Sequence, residues 1–299
     1  MIFFEDTLSE RQRIEEAIKK YGYASEHNFW WYQCQANKES KNIFAEYEDG
    51  TGLLTIKKKD KYIIFSSPLA PESRRVPVII EYLNCVFQSQ KIEKVTFELE
   101  DELYKKLIKA LPATLKARKI NYSLTCPVYN LENFEPDLPG NRWKTLRKEK
   151  NKFYRNHSVL ISDAKTYKDK GALHYIINEW RKKRSGHDRT HLSPYHNFIN
   201  ENFKGSTEAR ILIVDEKTCG INAGWMIPNS NRFYGSLGIH DYSISGLGDI
   251  LYLEDLTWLK TKGYKEADMG GGETALTNFK NKFRPESFYR TYIFSVVKQ

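Results

Sequence analysis

A run of three glycines followed by a group of basic residues is the part of this sequence best suited to chemistry. Gly270, Gly271 and Gly272 follow a short strand pattern, and lysines or arginines stand at positions 280, 282, 284 and 290. Glycines let a backbone approach another surface closely, and the start of a following helix offers unpaired N–H groups to an anion. A glycine-rich turn before an ordinary surface helix explains the same pattern, so the spacing alone leaves both interpretations open.

The sequence after the glycines resembles the end of a known enzyme family. Residues 279–285 read FKNKFRP, and residues 289–292 read YRTY. This order is similar to the closing F-K-x-K-F-x-P…R-Y segment of the phosphatidylglycerol lysyltransferase C-terminal domain family, although Thr291 interrupts the R-Y pair. That family is related to the Fem-type peptidyltransferases, and both are built from tandem acetyltransferase-like domains. The resemblance therefore implies an acyl-group transferase.

The resemblance also implies roles for individual residues. Acyl transfer needs a nucleophile that loses its proton and a tetrahedral oxyanion that is stabilised. Lys280 matches the lysine of the family's F-K and is expected to stabilise developing negative charge or the leaving tRNA phosphate. Lys282, Arg284 and Arg290 are expected to contact phosphates of the donor. Asp249, at a predicted helix start, is either a base or amine-binding residue, or an ordinary helix cap.

The loop before this aspartate is a second candidate for anion binding. Acetyltransferase-like enzymes carry Gln or Arg, two variable residues, and then G-x-G or G-x-A at this place, where backbone N–H groups hold the pyrophosphate of coenzyme A. Gly246 and Gly248 fit that pattern, whereas Ser243 stands at the position of the Gln or Arg. The glycines are therefore compatible with coenzyme A, with a tRNA phosphate, or with a tight turn.

Positive charge is concentrated in three segments of the second half. The net charge is +9, and residues 141–160 contain seven Lys or Arg and one acidic residue. Such clustering favours a polyanionic partner, whereas solvated helix faces are the simpler explanation. The other two segments are residues 181–191 and 276–290. We expect phosphate contacts from residues 141–160 and 181–191, with bases stacked on Trp143 and Trp180. The residues expected to bind the polyanion are Arg142, Lys144, Arg147, Arg181, Lys182, Lys183 and Arg184.

Several other classes of protein are disfavoured by the sequence. No run of about 18 apolar residues predicts a membrane span, and the first 20 residues carry charges where a signal peptide needs an apolar region. The four cysteines are far apart, and His187 and His191 have metal-like spacing without a further ligand nearby. We therefore expect a cytoplasmic protein without a metal site and without a tightly bound cofactor.

The order of the predicted elements occurs twice in the chain. Three strands, a helix, a strand and a helix are predicted between residues 42 and 111, and again between residues 209 and 282. This is the order of acetyltransferase-like domains, so we expect an α+β fold of two tandem domains, each a mixed sheet with flanking helices. The predicted boundary separates residues 1–136 from residues 137–299, inside a proline-containing linker at residues 133–140.

These observations predict an acyltransferase whose preferred donor, implied by the resemblance, is an aminoacyl-tRNA. One alternative is an acyl-coenzyme A dependent N-acyltransferase, which the glycines at positions 246 and 248 favour. Another is a protein without catalytic activity that binds RNA or an anionic surface through its basic segments. The acceptor remains open among a lipid headgroup, a peptide and a small molecule, and peripheral contact with a membrane is compatible with the charge.

Overall fold

One mixed sheet with helices on its faces makes up the part of the chain that the computed structural model describes, which is residues 1–89, 92–184 and 190–299. Its strands are β1 (Ile2–Phe4), β2 (Lys41–Glu46), β3 (Gly52–Lys58), β4 (Lys61–Ile64), β5 (Lys94–Glu100), β6 (Leu115–Ala117), β7 (Tyr122–Asn130), β8 (Val159–Asp163), β9 (Glu208–Val214), β10 (Lys217–Met226), β11 (Arg232–His240), β12 (Glu266–Asp268) and β13 (Ser287–Lys298). The helices are α1 (Arg11–Tyr21), α2 (Phe29–Gln33), α3 (Glu72–Ser89), α4 (Asp101–Ala110), α5 (Lys144–Asn156), α6 (Lys170–Lys183), α7 (Ser193–Asn200), α8 (Leu247–Thr261) and α9 (Thr274–Asn281).

The repeated order of strands and helices is present in the structure. The two predicted meanders are β2 to β4 and β9 to β11, and both are antiparallel throughout. Each meander is followed by a helix and then by a strand that pairs in parallel with the last strand of its meander, β4 with β5 and β11 with β12. Alternating apolar residues and short turns identified these elements correctly.

The centre of the sheet is made by two strands that the sequence analysis did not predict. β13 lies between β5 and β7, and β7 lies between β13 and β12, all of them antiparallel. The last strand of each half therefore lies beside the parallel strand pair of the other half. The segment at residues 122–130, which precedes the predicted linker, is one of these central strands.

We propose that residues 1–136 and 137–299 are two related units that exchange their last strands. The identical strand order on the two sides of the β7–β13 pair supports this division. Separating the units would leave the edges of β5 and β12 without partners, and such unpaired edges are prone to pair with other chains. The linker also packs, because Phe134 and Leu138 are buried and join the core around Trp143.

The faces of β5 have opposite characters, and this places the candidate site. Val95 and Phe97 point to the core under α3 and α4, together with Phe294 of β13. Side chains alternate across a strand, so Glu98 and Glu100 point to the other face. No helix in the described ranges is both long enough and apolar enough to cross a bilayer.

Candidate active site

A cavity of about 900 Å³ lies against the central strands on that other face. Its wall includes the end of β5, parts of β7, β11 and β13, the glycine run after β12, and residues of α2, α7 and α9. Aromatic side chains such as Trp31, Tyr195 and Phe279 form part of this wall. The cavity therefore brings the glycine run and Lys280 together with acidic residues of the first half.

The glycine run is shaped by its contact with β7. Gly270 has a φ of +75°, a backbone conformation that glycine adopts without a steric penalty. A Cβ on Gly271 would lie 2.7 Å from the Cβ of Leu124 and 2.9 Å from the sulfur of Cys126. Gly272 exchanges two backbone hydrogen bonds of 3.0 Å with Thr125. The positive φ accounts for Gly270 and close packing on β7 for Gly271, and the pairing of Gly272 with β7 keeps the run at the cavity wall.

Lys280 is buried at the cavity wall and holds the glycine turn. The side chain is 6% exposed, and its Nζ donates to the carbonyl oxygens of Met269 at 2.5 Å and Gly270 at 2.7 Å. Burial lowers the pKa of Lys280 to about 8, although the charge of Asp268 acts in the opposite direction. Lys280 therefore lies at the cavity wall with its ammonium fixed against two carbonyl groups.

Asp268 is the centre of a hydrogen-bond network that the sequence analysis missed. It is fully buried, and its Oδ2 accepts hydrogen bonds from Tyr289 at 2.5 Å and Ser25 at 3.2 Å. Its Oδ1 accepts the N–H of Gly270 at 2.9 Å. Burial raises the pKa of Asp268 and of Tyr289. An acidic residue inside the apolar pattern Ala267 to Met269 was the available sequence signal.

Three glutamates that line the cavity belong to the same acidic group as this buried aspartate. Burial, together with the nearby carboxyls of Glu98, Asp268 and Glu100, raises the pKa of Glu26 to about 8. Burial also raises the pKa of Glu98, which accepts a 2.7 Å hydrogen bond from the Thr291 hydroxyl. Glu100 is reached by solvent through the cavity, yet the surrounding protein still raises its pKa. We call these four residues the acidic cluster.

The acidic cluster was missed because its members come from separate elements. Glu98 and Glu100 stand two residues apart on one strand, which puts both on one face. That spacing was readable in the sequence, whereas the approach of Glu26 to Asp268 depends on how the loop before α2 packs against β12, where Ser25 bonds Asp268. Among the described residues, no group of three or more His, Cys, Asp or Glu is arranged to hold a metal ion.

The loop with Gly246 and Gly248 begins α8 at one end of the cavity. Gly246 is the N-cap with a φ of +82°, so Asp249 belongs to the first turn and does not cap the helix. A Cβ on Gly248 would lie 2.7 Å from the ring of His240, whose pKa burial lowers to about 4. Packing against this imidazole explains Gly248 without a bound anion. Ser243 is exposed, and its backbone N–H donates a hydrogen bond of 2.8 Å to Oδ1 of Asp241.

The other residues expected to contact the donor do not line the cavity. Lys282 forms an ion pair of 2.9 Å with Asp249 on the outer side of α9. Arg284 donates to the backbone oxygen of Arg142 at 2.9 Å, which joins the end of α9 to the start of the basic segment. Arg290 alternates with cavity-lining neighbours on β13 and therefore faces away from the cavity.

Some of the residues expected to bind a polyanion are exposed, whereas others already make hydrogen bonds within the protein. Arg142 and Lys144 are exposed, as are Lys182 and Lys183 of α6. Arg147 is occupied, because its guanidinium donates to the carbonyl oxygens of Leu138 and Gly140 in the linker.

Two further residues of this set lie at the end of α6. Arg184 lies 4.5 Å over the Trp180 ring and lines the cavity, and Arg181 is half-buried beside it. The loop that continues from Arg184, including His187, lies outside the described residues.

The expectation that bases stack on Trp143 and Trp180 is wrong. Trp143 is 3% exposed and packs with Phe134 in the core of the second half, and Trp180 is 6% exposed beside Tyr195. An indole that is already covered on its faces offers no surface to a base. The composition of a basic segment does not show which of its aromatic residues is needed for the core.

The acidic cluster should make the protein less stable as the pH rises. The pKa of Glu26 is higher in the folded than in the unfolded chain, so its contribution is greatest below the unfolded value near 4.5 and is lost as the pH rises to about 8. Glu98, Glu100 and Asp268 shift in the same direction. We expect the melting temperature to fall between pH 5 and pH 8, and to fall less in Glu26→Gln. Equal slopes in both proteins, with Glu102→Gln as a surface control, would contradict this assignment.

Comparison with known families agrees with the resemblance seen in the sequence. The chain matches the family described as phosphatidylglycerol lysyltransferase, C-terminal, over residues 22–295. The chain belongs to this family. The matched region includes the whole acidic cluster, the glycine run and Lys280. No curated protein matches the chain in sequence.

Solved structures of similar fold span nearly the whole chain. The C-terminal domain of a candidate lysylphosphatidylglycerol synthetase from Agrobacterium fabrum is 13% identical, covers 97% of this chain and 92% of that chain, and has a TM-score of 0.69. FemX is 11% identical, with coverage of 99% and 97% and a TM-score of 0.64. A tandem GNAT protein from the clavulanic acid pathway is 9% identical, with coverage of 99% and 98% and a TM-score of 0.57. At these identities the likeness is one of fold, and it confirms the acetyltransferase-like fold class.

Proposed function

We propose that this chain transfers an aminoacyl group from an aminoacyl-tRNA to an acceptor amine or hydroxyl. The observation that carries the proposal is the family match, which extends over the cavity and its polar residues. Members of the lysyltransferase and Fem-type families use aminoacyl-tRNA as donor, and the lysyltransferase family is named for a transfer reaction. A lipid headgroup, a peptide and a small molecule all present a suitable acceptor group.

The reaction we propose is a direct displacement at the ester carbonyl of the donor. The acceptor nitrogen or oxygen forms a bond to the carbonyl carbon, the bond to the tRNA ribose oxygen breaks, and the acceptor proton ends on that ribose oxygen. Lys280 supplies positive charge beside the glycine turn, where a developing oxyanion needs stabilisation. The acidic cluster supplies carboxylates that accept a proton from the acceptor.

A basic surface beside the cavity supports the choice of donor. Arg284 contacts the start of the segment that contains Arg142 and Lys144, and α5 continues that segment with Lys148. These side chains are exposed and are suited to neutralise phosphates of a nucleic acid. We propose that this surface, together with Lys282, holds the tRNA while its aminoacyl end enters the cavity.

Binding of tRNA should depend steeply on salt, with a log–log slope of several units. Replacing Arg142, Lys144 and Lys148 with alanine should weaken binding and reduce the slope by roughly 0.9 for each phosphate that is no longer neutralised. Arg147 is left unchanged, because it holds the linker. A matched control replaces the exposed lysines 105, 106 and 109 of α4. The measurement is a fluorescence-anisotropy titration at four or more salt concentrations.

Each outcome separates the proposed donor from its alternatives. A flat salt response, or equal weakening in the α4 control, would contradict a tRNA surface at this place. Tight tRNA binding without transfer to any acceptor would favour a protein that has lost its chemistry. Stabilisation by coenzyme A in a thermal-shift assay, without tRNA binding, would favour an acyl-coenzyme A donor and a phosphate role for Gly246.

A further inference from the structure

The cavity contains more negative than positive charge. The carboxyl groups of Glu26, Glu98 and Glu100 line it, and the buried Asp268 behind its wall lies near enough to act on Glu26 and Glu100. Lys280 acts on Asp268, but its ammonium already donates to two backbone carbonyls. Arg75 and Arg232 act on Glu100 from a distance, but within the described ranges no lysine, arginine or histidine forms an ion pair with any of these four. Carboxyl groups crowded in this way are costly to ionise unless a cation joins them.

A second feature of the same cavity indicates a missing hydrogen-bond partner. Ser66, on the loop that follows β4, lines the cavity and is 3% exposed. Its Oγ makes no hydrogen bond to any described residue. Ser236 also lines the cavity, at the irregular pairing of β10 with β11, and its buried Oγ is likewise unpaired within the described part of the chain. Buried hydroxyl groups without partners are uncommon, and a ligand is one explanation for them.

We propose that the acidic cluster and Ser66 bind the ammonium group of a substrate amine. This inference rests on the proposed aminoacyl transfer, in which both the aminoacyl group and an acceptor amine carry such a group. An ammonium has three N–H donors and no acceptor, so it suits carboxylate oxygens and a free hydroxyl oxygen. The cavity of about 900 Å³ with aromatic walls leaves room for the organic part of the molecule.

The ammonium site also explains how a nucleophilic amine is produced. A carboxylate that holds the ammonium is placed to take one of its protons, which leaves the nitrogen lone pair free to attack. Glu98 is positioned by the Thr291 hydroxyl and Asp268 by Tyr289, whereas Glu26 and Glu100 have no such partner among the described residues. The two unpartnered carboxyl groups are therefore the ones that bind the ammonium most directly.

The test compares amines with neutral molecules of the same shape, by calorimetry with the full chain and without tRNA. One arm uses ethanolamine against ethylene glycol as acceptor mimics. The other uses L-alanine ethyl ester against N-acetyl-L-alanine ethyl ester as mimics of the aminoacyl group. We expect one amine to bind at least ~10-fold more tightly than its neutral partner, and the arm that shows this identifies the source of the ammonium.

Variants connect that preference to the acidic cluster. Glu26→Gln with Glu100→Gln should reduce amine binding ~10-fold and remove the preference, whereas Glu48→Gln, exposed in the turn after β2, should change neither. If the double variant is not folded, Glu100→Gln alone provides the test, because that side chain is exposed. A preference that survives in the folded variants would overturn the proposal, as would equal binding of amines and neutral partners in both arms.

The outcomes also separate this inference from the proposed function. Amine binding without any transfer from aminoacyl-tRNA supports the ammonium site and counts against the donor. If transfer proceeds and neither arm shows a preference for the amine, the ammonium site is contradicted and the proposed transfer reaction is not. Calcium ions that bind in place of the amines, and no longer bind in the same variants, would reassign the acidic cluster to a metal ion.

Discussion

Replacing Lys280 with alanine should lower the transfer rate by ~100-fold or more, equivalent to roughly 2.7 kcal/mol of transition-state stabilisation. The ammonium is the positive charge fixed beside the glycine turn, and charge that is already oriented stabilises an oxyanion without reorganisation. Lys280→Arg should recover only part of the rate, because a guanidinium places its charge differently. The measurement is a single-turnover transfer rate with a melting curve for each variant.

The structure predicts that Lys280→Ala also changes the stability of the protein. Sequence reasoning expects a folded variant of unchanged stability, but Lys280 is buried and bonds the carbonyls of Met269 and Gly270. Leaving those carbonyls without a partner costs about 1–3 kcal/mol each, partly offset because a buried charge is removed. Lys280→Met keeps a side chain of similar length without the ammonium, so its rate and melting temperature report the loss of charge apart from the loss of packing. Lys109→Ala, on the exposed surface of α4 away from the cavity, is the control and should remain active. Full activity in folded Lys280→Ala would remove this residue from the mechanism.

The pH profile provides an independent check on the same residue. Because burial lowers the pKa of Lys280 to about 8, its ammonium is lost as the pH rises through that value. A rate that depends on the ammonium should therefore decline above about pH 8 in the wild type. Lys280→Arg should lack this decline, since a guanidinium stays protonated.

Replacing Asp255 with alanine should lower the free energy of unfolding by about 3–5 kcal/mol. Arg210 and Asp255 form an ion pair of 2.6 Å, and both side chains are 8% exposed. This pair joins β9 to α8, and the guanidinium also lies 4.6 Å over the ring of Trp258. Asp255→Ala leaves a buried guanidinium without its counter-charge. The measurement is the denaturant midpoint and slope in urea.

A double variant distinguishes the value of the pair from the cost of breaking it. Burial raises the pKa of Asp255, and the charge and hydrogen bond of Arg210 lower it only in part, so desolvation largely offsets the attraction. Arg210→Met with Asp255→Leu should therefore be close to wild type in stability. Glu15→Ala, which breaks an exposed pair with Arg11, should change stability by less than ~0.5 kcal/mol. An unchanged midpoint in Asp255→Ala would contradict the assignment.

The sequence by itself determined the repeated order of elements and the family. Both are local properties, because alternating apolar residues define a strand and a run such as FKNKFRP is contiguous. Lys280 was selected in this way, as were the glycines at positions 270–272, and the structure brings these to one cavity. The basic segments were also visible, although their composition did not distinguish exposed Arg142 from Arg147, which holds the linker.

Only the tertiary structure decided the pairing of β7 with β13 at the centre of the sheet, and with it the acidic cluster. Pairing between strands that are far apart in the chain depends on which edges meet in space, and no local pattern specifies that. Glu26 belongs to a loop near the start of the chain and Asp268 to β12, so their carboxyl groups approach only because the two halves share one sheet. Burial, which only the tertiary structure decides, also shifts the pKa of Asp268 upward and that of Lys280 downward, because an interior position disfavours the charged form.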